Sequence, residues 1–271
     1  MRGWIFLSVR GKWRVVRGKV QSWLASGWEW TRNKDLVVLL LSFACVVSAW
    51  TFIELADEVR EGDTDSLDKA ILKAFREPTD LSNPIGPRRV EEAVRDITAL
   101  GSVTILSLFS GVVLAFLLFT RRFNACLLLV AALSGGLLLN YGLKNFFNRP
   151  RPEYVTQLHY VDSHSFPSGH ALLAAVVYLT LGALIARLLP KRRQKIYVLA
   201  VAVLFTFLVG TSRVYLGVHY PSDVLAGWTV GLLWSILCWL VARQLQRRGK
   251  VEGPSAAQPA SESFAQRGAG H

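Results

Sequence analysis

Six runs of apolar residues, each close to the length of a membrane-crossing helix, constrain this chain more than any other feature. They fall at about 36–54, 97–120, 124–147, 170–190, 196–212 and 223–243. A helix needs about 20 apolar residues to cross the hydrocarbon core of a bilayer. In lipid, backbone polar groups must be satisfied within the protein, and a helix does so inside one segment. Leu, Val and Ala dominate the runs, and Trp28, Trp30, Trp50 and Trp239 sit near their ends, as interfacial aromatics do. Charged residues make up 18% of the chain, against about 25% in soluble domains. The expected fold class is an all-α integral membrane protein with six transmembrane helices.

The basic residues set an orientation. Eight Lys or Arg precede Leu36, two lie at 121–122, five between Arg187 and Lys195, and four between Arg243 and Lys250. Six spans put all of these on one side. The long connection 55–96, with seven basic against eleven acidic residues, falls on the other. Cytoplasmic loops collect Lys and Arg, so both termini are expected in the cytoplasm. The connections 55–96, 148–169 and 213–222 then face outward. This bias also accounts for the net charge of +12, and no nucleic-acid partner is expected.

Three regions follow. Residues 1–35 carry Trp13, Val16, Val20 and Trp23 at helical spacing among basic residues, the pattern of an amphipathic helix on an anionic leaflet. Residues 36–249 form the six-helix membrane domain, with one or two short helices expected in the outer loop 55–96 and a turn-rich break at "LSNPIGP", 81–87. Residues 250–271 are rich in Gly, Ser, Ala and Pro, and disorder is expected. No cleavable signal peptide is expected, because the first long apolar run begins near Leu36 and no small-residue cleavage site follows it. Cys45, Cys126 and Cys238 all lie within apolar runs and are expected to pack, not to pair.

Each of the two remaining outward connections carries ionisable groups where such groups are costly. In "LKNFFNRPRPEY", Lys144, Arg149 and Arg151 stand on the side otherwise poor in cations. Snorkelling toward headgroups explains one such residue. It explains two Arg-Pro pairs less well. In "SFPSGHALLAAVV", Ser168 sits where an N-cap belongs, ahead of an apolar helix. The unpaired N–H groups of that helix start are a ready anion site. Gly169 lets a ligand approach the backbone, and His170 occupies the first turn. Plain helix capping is the alternative. In "SRVYLGVHYPSD", Arg213 ends the fifth run, and His219 and Asp223 flank the start of the sixth. A separation of four can bring imidazole and carboxylate together. The Asp would fix the tautomer and make the other ring nitrogen a nucleophile. A structural His–Asp bond capping the helix is again the alternative.

Together the three stretches offer cations, N–H donors and two histidines on one face. That set suits a phosphoryl group whose equatorial oxygens gain charge in transfer. One histidine can attack phosphorus while the other protonates the departing oxygen. Glu153, Asp162 and His164 lie nearby, but their spacing matches no standard metal site. No metal or cofactor is expected.

These residues resemble a known family. Lys144, Arg151 and Pro152 fit a Lys, six residues, Arg-Pro pattern. "PSGH" at 167–170 fits the second motif, and Ser-Arg, five residues, His219, three residues, Asp223 fits the third. In this order, over 144–223, they resemble the type 2 phosphatidic acid phosphatase family, whose superfamily includes the vanadium haloperoxidases. The resemblance implies that His219 forms a phosphohistidine, that Asp223 orients it, and that His170 is the general acid. It implies that Lys144, Arg151, Ser168, Gly169 and Arg213 hold the phosphate. Arg149 has no place in the pattern.

The expected function is a metal-independent lipid phosphate or diphosphate phosphatase. It would act on undecaprenyl diphosphate, phosphatidylglycerol phosphate or phosphatidic acid, in a bacterial inner membrane with the site facing the periplasm. The partners implied are the lipid substrate and the bilayer. A lipid-to-lipid phosphotransferase would use the same site. A vanadate-dependent haloperoxidase conflicts with six lipid-length spans. A transporter conflicts with the scarcity of midplane charge in spans one, two and six.

Overall fold

The computed structural model describes residues 36–152 and 164–247. The basic arm 1–35, the tail 250–271, Glu153 and Asp162 lie outside the described residues. The first helix described, α1, spans Leu36–Glu61 and so runs past its apolar segment into the 55–96 connection. The connection then folds as helix α2 (Asp65–Ala74), strands β1 (Arg76–Glu77) and β2 (Asp80–Pro84), and helix α3 (Arg88–Ala99). Five long helices complete the chain: α4 (Val103–Phe119), α5 (Phe123–Phe147), α6 (Gly169–Leu188), α7 (Arg192–Tyr215) and α8 (Pro221–Arg247).

Among the described residues, five helices are long and apolar enough to cross a membrane, and α3 with α4 makes a sixth candidate bent by 47°. The second span, expected over 97–120, therefore starts later than the apolar run does. The bend falls at Gly101–Ser102, where Ser102 Oγ accepts from the Ile105 N–H at 3.2 Å and begins α4 as a fresh helix. The 17 residues of α4 reach about 26 Å, slightly under the roughly 30 Å hydrocarbon thickness. Helix α3 is charged along its length and carries the i,i+4 pairs Arg88–Glu92 and Arg95–Glu91, so its composition goes with the polar connection that precedes it.

The hairpin β1–β2 departs from an all-helical expectation. Asp80 organises it: its carboxylate accepts from the Ser82 N–H (3.0 Å), the Ser82 hydroxyl (2.7 Å) and Asn83 Nδ2 (2.9 Å), the local bonding that lets Asp hold a turn. Most of "LSNPIGP" is strand, and the break comes at Ile85–Gly86, where Gly86 has φ +105°.

Helix α6 sits at the centre. Residues Ala171 through Val177 are all buried, as a helix apolar all round requires. Leu172, Leu173, Val176 and Val177 join Leu106, Leu129 and Val230 in the main core. The approach of α8 to α6 depends on Gly227, where a Cβ would lie 2.7 Å from the Ser168 carbonyl oxygen. Such small residues let helices close without a hydrophobic drive between them. Large apolar side chains on the outer helices, among them Leu39, Phe43, Trp50, Phe119 and Leu138, are exposed, which suits a surface that lipid covers. Cys45 and Cys126 are buried and Cys238 is half-buried, all three as free thiols.

Candidate active site

The three motif stretches meet at the end of the bundle that carries α2, the hairpin and α3. Local chemistry sets each in place. Helix α5 ends at Asn148, which takes the left-handed conformation (φ 49°) while its N–H bonds the Lys144 carbonyl. Asn tolerates that conformation better than most residues, and the chain leaves the helix there as Arg149-Pro150-Arg151-Pro152. The next stretch is tied to it: the Ser165 N–H donates to the Arg149 carbonyl (2.8 Å) and the Ser165 hydroxyl to the Pro150 carbonyl (2.9 Å). Phe166 is wholly buried, stacked on Phe52 of α1 at 6.1 Å and edge-on to Phe147 at 4.8 Å. The third stretch enters α8 through Pro221 at the first helical position, a position proline suits. The Asp223 carboxylate reaches back to the Tyr220 N–H at 2.9 Å, the backward half of a capping box.

His219 and Asp223 are both buried. Their Nδ1 and Oδ2 atoms lie 3.4 Å apart. That is ion-pair distance but longer than a charge-assisted hydrogen bond of about 2.7–2.9 Å, and Nδ1 has no hydrogen-bond partner. Catalytic bonds of this kind tighten when substrate arrives. The other ring nitrogen, Nε2, lies 3.5 Å from Arg151 Nη1, which also donates to the Val218 carbonyl at 3.0 Å. Burial pushes the His219 imidazole well below its ordinary value, and Arg213, Arg151 and Lys144 push the same way. At neutral pH its ring is uncharged and holds a lone pair.

His170, in the first turn of α6, is within electrostatic reach of Arg213, His219, Lys144 and Arg151. Lys144 in turn feels Arg151, Asp223 and Arg213. Arg213 donates from Nη1 to the Thr98 hydroxyl of α3 at 3.1 Å. The structure thus brings together all eight residues singled out in the sequence: Lys144, Arg151, Ser168, Gly169, His170, Arg213, His219 and Asp223.

Two local expectations change. Ser168 stands at the N-cap position of α6, but its hydroxyl makes no capping bond and is buried without a partner. Its N–H donates to the Asp223 carbonyl at 2.9 Å, so the backbone anchors the residue and leaves the hydroxyl uncommitted. Gly169 has a packing reason as well as a ligand one. A Cβ there would lie 2.9 Å from Asn140 Oδ1.

Four residues escaped the sequence reading. Asn140 lies one turn before Lys144 on α5, and its Oδ1 is buried without a partner. An amide alone in an apolar run was the available signal. Asp68, Thr98 and Ser222 gave none, because their partners lie far off in sequence. The Arg149 guanidinium joins three of the loops and elements here. It donates to Ser222 Oγ (2.8 Å), Asp223 Oδ1 (2.9 Å) and Asp68 Oδ2 (3.0 Å).

A family model described as the PAP2 superfamily matches residues 123–247. Phosphatidylglycerophosphatase B of Bacillus subtilis is 35% identical over 188 residues, which is 67% of this chain and 86% of that protein. Lipid A 1-phosphatase of Rhizobium etli is 30% identical over 186 residues, covering 58% of this chain and 75% of that protein. Undecaprenyl-diphosphatase of Sulfolobus acidocaldarius is 38% identical over 85 residues, covering 31% and 36%. Among solved structures, a transmembrane PAP2-type phosphatidylglycerolphosphate phosphatase from Bacillus subtilis superposes with a TM-score of 0.67 at 32% identity, covering 76% of this chain and 98% of that one.

Proposed function

Since this chain belongs to the PAP2 superfamily and is a lipid phosphatase, we propose that it releases phosphate from a membrane lipid through a covalent phosphohistidine on His219, without a metal ion. The observation that carries this reading is the orientation of His219. One ring nitrogen faces Asp223 at 3.4 Å and the other faces Arg151 at 3.5 Å. A phosphoryl group cradled by Arg151, Lys144, Arg213, the Ser168 hydroxyl and the start of α6 would meet the Nε2 lone pair.

In the first step an Nε2–P bond forms and the P–O bond to the lipid breaks. The leaving oxygen takes a proton from His170. In the second step water attacks phosphorus and gives its proton to His170. The N–P bond breaks, and phosphate leaves. Asp223 stabilises the charge on the His219 ring in the intermediate. A phosphate dianion among Lys144, Arg151 and Arg213 supplies the negative charge that an imidazolium at His170 needs.

The basic loops favour cytoplasmic termini and a site facing the periplasm of a bacterial inner membrane. Phosphatidylglycerol phosphate is the first substrate to try, because the relative matched over 86% of its length bears that name. Phosphatidic acid and undecaprenyl diphosphate follow. The test is phosphate release by purified protein from these three lipids, with acid-quench trapping of labelled phosphate on the protein. Label should appear on wild type and be absent from His219→Ala. Wild-type turnover by His219→Ala would overturn the mechanism.

A further inference from the structure

Arg149 fits no position of the family pattern, yet it is buried and held by several acceptors at once. It is 9% exposed. Nη1 donates to Ser222 Oγ and Asp223 Oδ1, and Nη2 to Asp68 Oδ2 and, at 3.3 Å, to Asp65 Oδ1. Its plane lies 4.4 Å over the Tyr220 ring. Asp68, 2% exposed, also accepts from the Ser222 N–H at 3.0 Å and from the Ser222 hydroxyl. Two buried carboxylates, one from α2 in the outer loop and one from α8, therefore share a single guanidinium.

The two arginines of Arg149-Pro150-Arg151 bracket the His219–Asp223 pair from opposite ends. Arg149 holds Asp223 Oδ1. Asp223 Oδ2 takes the Tyr220 N–H and faces His219 Nδ1. Arg151 stands at His219 Nε2. With one oxygen held by a charged donor and the other by a backbone N–H, the carboxylate cannot turn. Partners behind a reactive group commonly set its orientation and basicity in this way. Arg suits the task because its planar fork serves two acceptors at once, which an ammonium on a flexible stem does not.

We infer that Arg149 and Asp68 are positioning residues for the phosphoryl-transfer step, holding the Asp223 carboxylate toward His219, and that α2 of the outer loop serves the reaction through them. Neither residue touches the phosphate. The inference rests on the phosphohistidine reading above.

Single-turnover phosphate release from labelled lipid tests it, since that assay also reads slow variants. Arg149→Gln, Arg149→Lys and Asp68→Asn are made in the full chain, alone and with Asp223→Asn. Inorganic phosphate, as a competitive inhibitor, reports the cradle. Arg149→Gln should slow the chemical step on the order of 10–100-fold, the usual range for such a partner, with KM and phosphate inhibition within about 3-fold. Arg149→Lys should recover part of the rate, and Asp68→Asn should follow Arg149→Gln with a smaller loss. In the Asp223→Asn background, either change should slow the reaction by no more than about 2-fold, because residues acting as one unit are not additive.

The same fold-loss in both backgrounds would overturn the inference, as would phosphate inhibition weakening in step with the rate. If Arg149→Gln does not fold, Asp68→Asn and its double variant carry the same comparison. His219→Ala separates the two readings. If that variant turns over normally the mechanism fails, whereas an inactive His219→Ala with additive Arg149 losses sinks this inference alone.

Discussion

The buried His219 makes a prediction about acid stability that can be worked through. In an unfolded chain its imidazole titrates near pH 6.5. In the fold, burial and then Arg213, Arg151 and Lys144 push it well below that value. Above about pH 6.5 the ring is neutral in both states and adds no pH dependence. Below it, the unfolded chain takes up a proton that the fold refuses. Unfolding then becomes easier by up to about 1.4 kcal/mol per pH unit, until the folded value is reached. A ring that stays neutral in the fold down to pH 5 sets the ceiling on the loss, up to about 2 kcal/mol between pH 6.5 and 5. Replacing the ring by an amide removes this term. The stability of His219→Gln relative to wild type should therefore rise as pH falls from 7 to 5, by up to about 2 kcal/mol.

Equilibrium unfolding in mixed detergent micelles at pH 7, 6 and 5 measures that difference. Arg213, Arg151, Lys144, Asp223 and His170, the ionisable groups facing His219, are present in both proteins and largely cancel. A difference that stays constant from pH 7 to 5 would refute the reasoning, since it would mean His219 is charged or hydrated in the fold. A kinetic corollary accompanies it. Loss of the His219 lone pair should not produce an acid limb near pH 6.5 in kcat/KM.

Three further substitutions separate the parts of the structure. Thr98→Val removes the hydroxyl that holds Arg213 Nη1; losing a bond to a charged group of about 1.5–3 kcal/mol should lower kcat/KM by roughly 10–150-fold, read by steady-state phosphate release. Gly227→Val places a Cβ 2.7 Å from the Ser168 carbonyl and 3.1 Å from the Leu172 nitrogen; backbone cannot give way there, and overpacking of at least about 1–3 kcal/mol should lower both the melting midpoint and activity. Arg88→Ala breaks an ion pair whose side chains are 90% and 60% exposed; melting and turnover should both stay at wild-type levels, because exposed pairs contribute little.

The parts of the fold that rest on composition were legible. The apolar runs became helices, which satisfy their backbone groups within one segment where lipid offers no partner. Boundaries set by one or two residues were not. The bend at Gly101–Ser102 lies inside an apolar run, and the Asp80 turn lies inside a polar one, so neither altered the pattern that a window of residues presents. The same division holds at the site. Residues in short motifs could be picked out, since Pro221 fixes how His219 and Asp223 approach over four positions. The residues that hold the motifs in place could not. Asp68 and Ser222 are 154 positions apart, and Thr98 and Arg213 are 115 apart. An Asp in a polar loop, or a Thr at the edge of an apolar run, carries no mark of its partner until the fold delivers it.

Those distant partners also explain how so much positive charge can be kept in a largely dry place. Lys144, Arg149, Arg151 and Arg213 gather around two buried carboxylates, Asp68 and Asp223. Arg149 is matched by those carboxylates through direct hydrogen bonds. The other three cations, Lys144, Arg151 and Arg213, share a neighbourhood into which a phosphate would bring further negative charge. A phosphate monoester carries between about −1.5 and −2 at neutral pH. A ligand of that charge offsets more of the buried positive charge than a monoanionic phosphodiester does, and uncompensated charge is expensive away from water. On the proposed reading, charge therefore favours a terminal phosphate over an internal phosphodiester, and a phosphodiester lipid should compete poorly with inorganic phosphate for the site. Asp68 of α2 takes part in that balance by neutralising Arg149: without it, the Arg149 charge would add to that of the neighbouring cations.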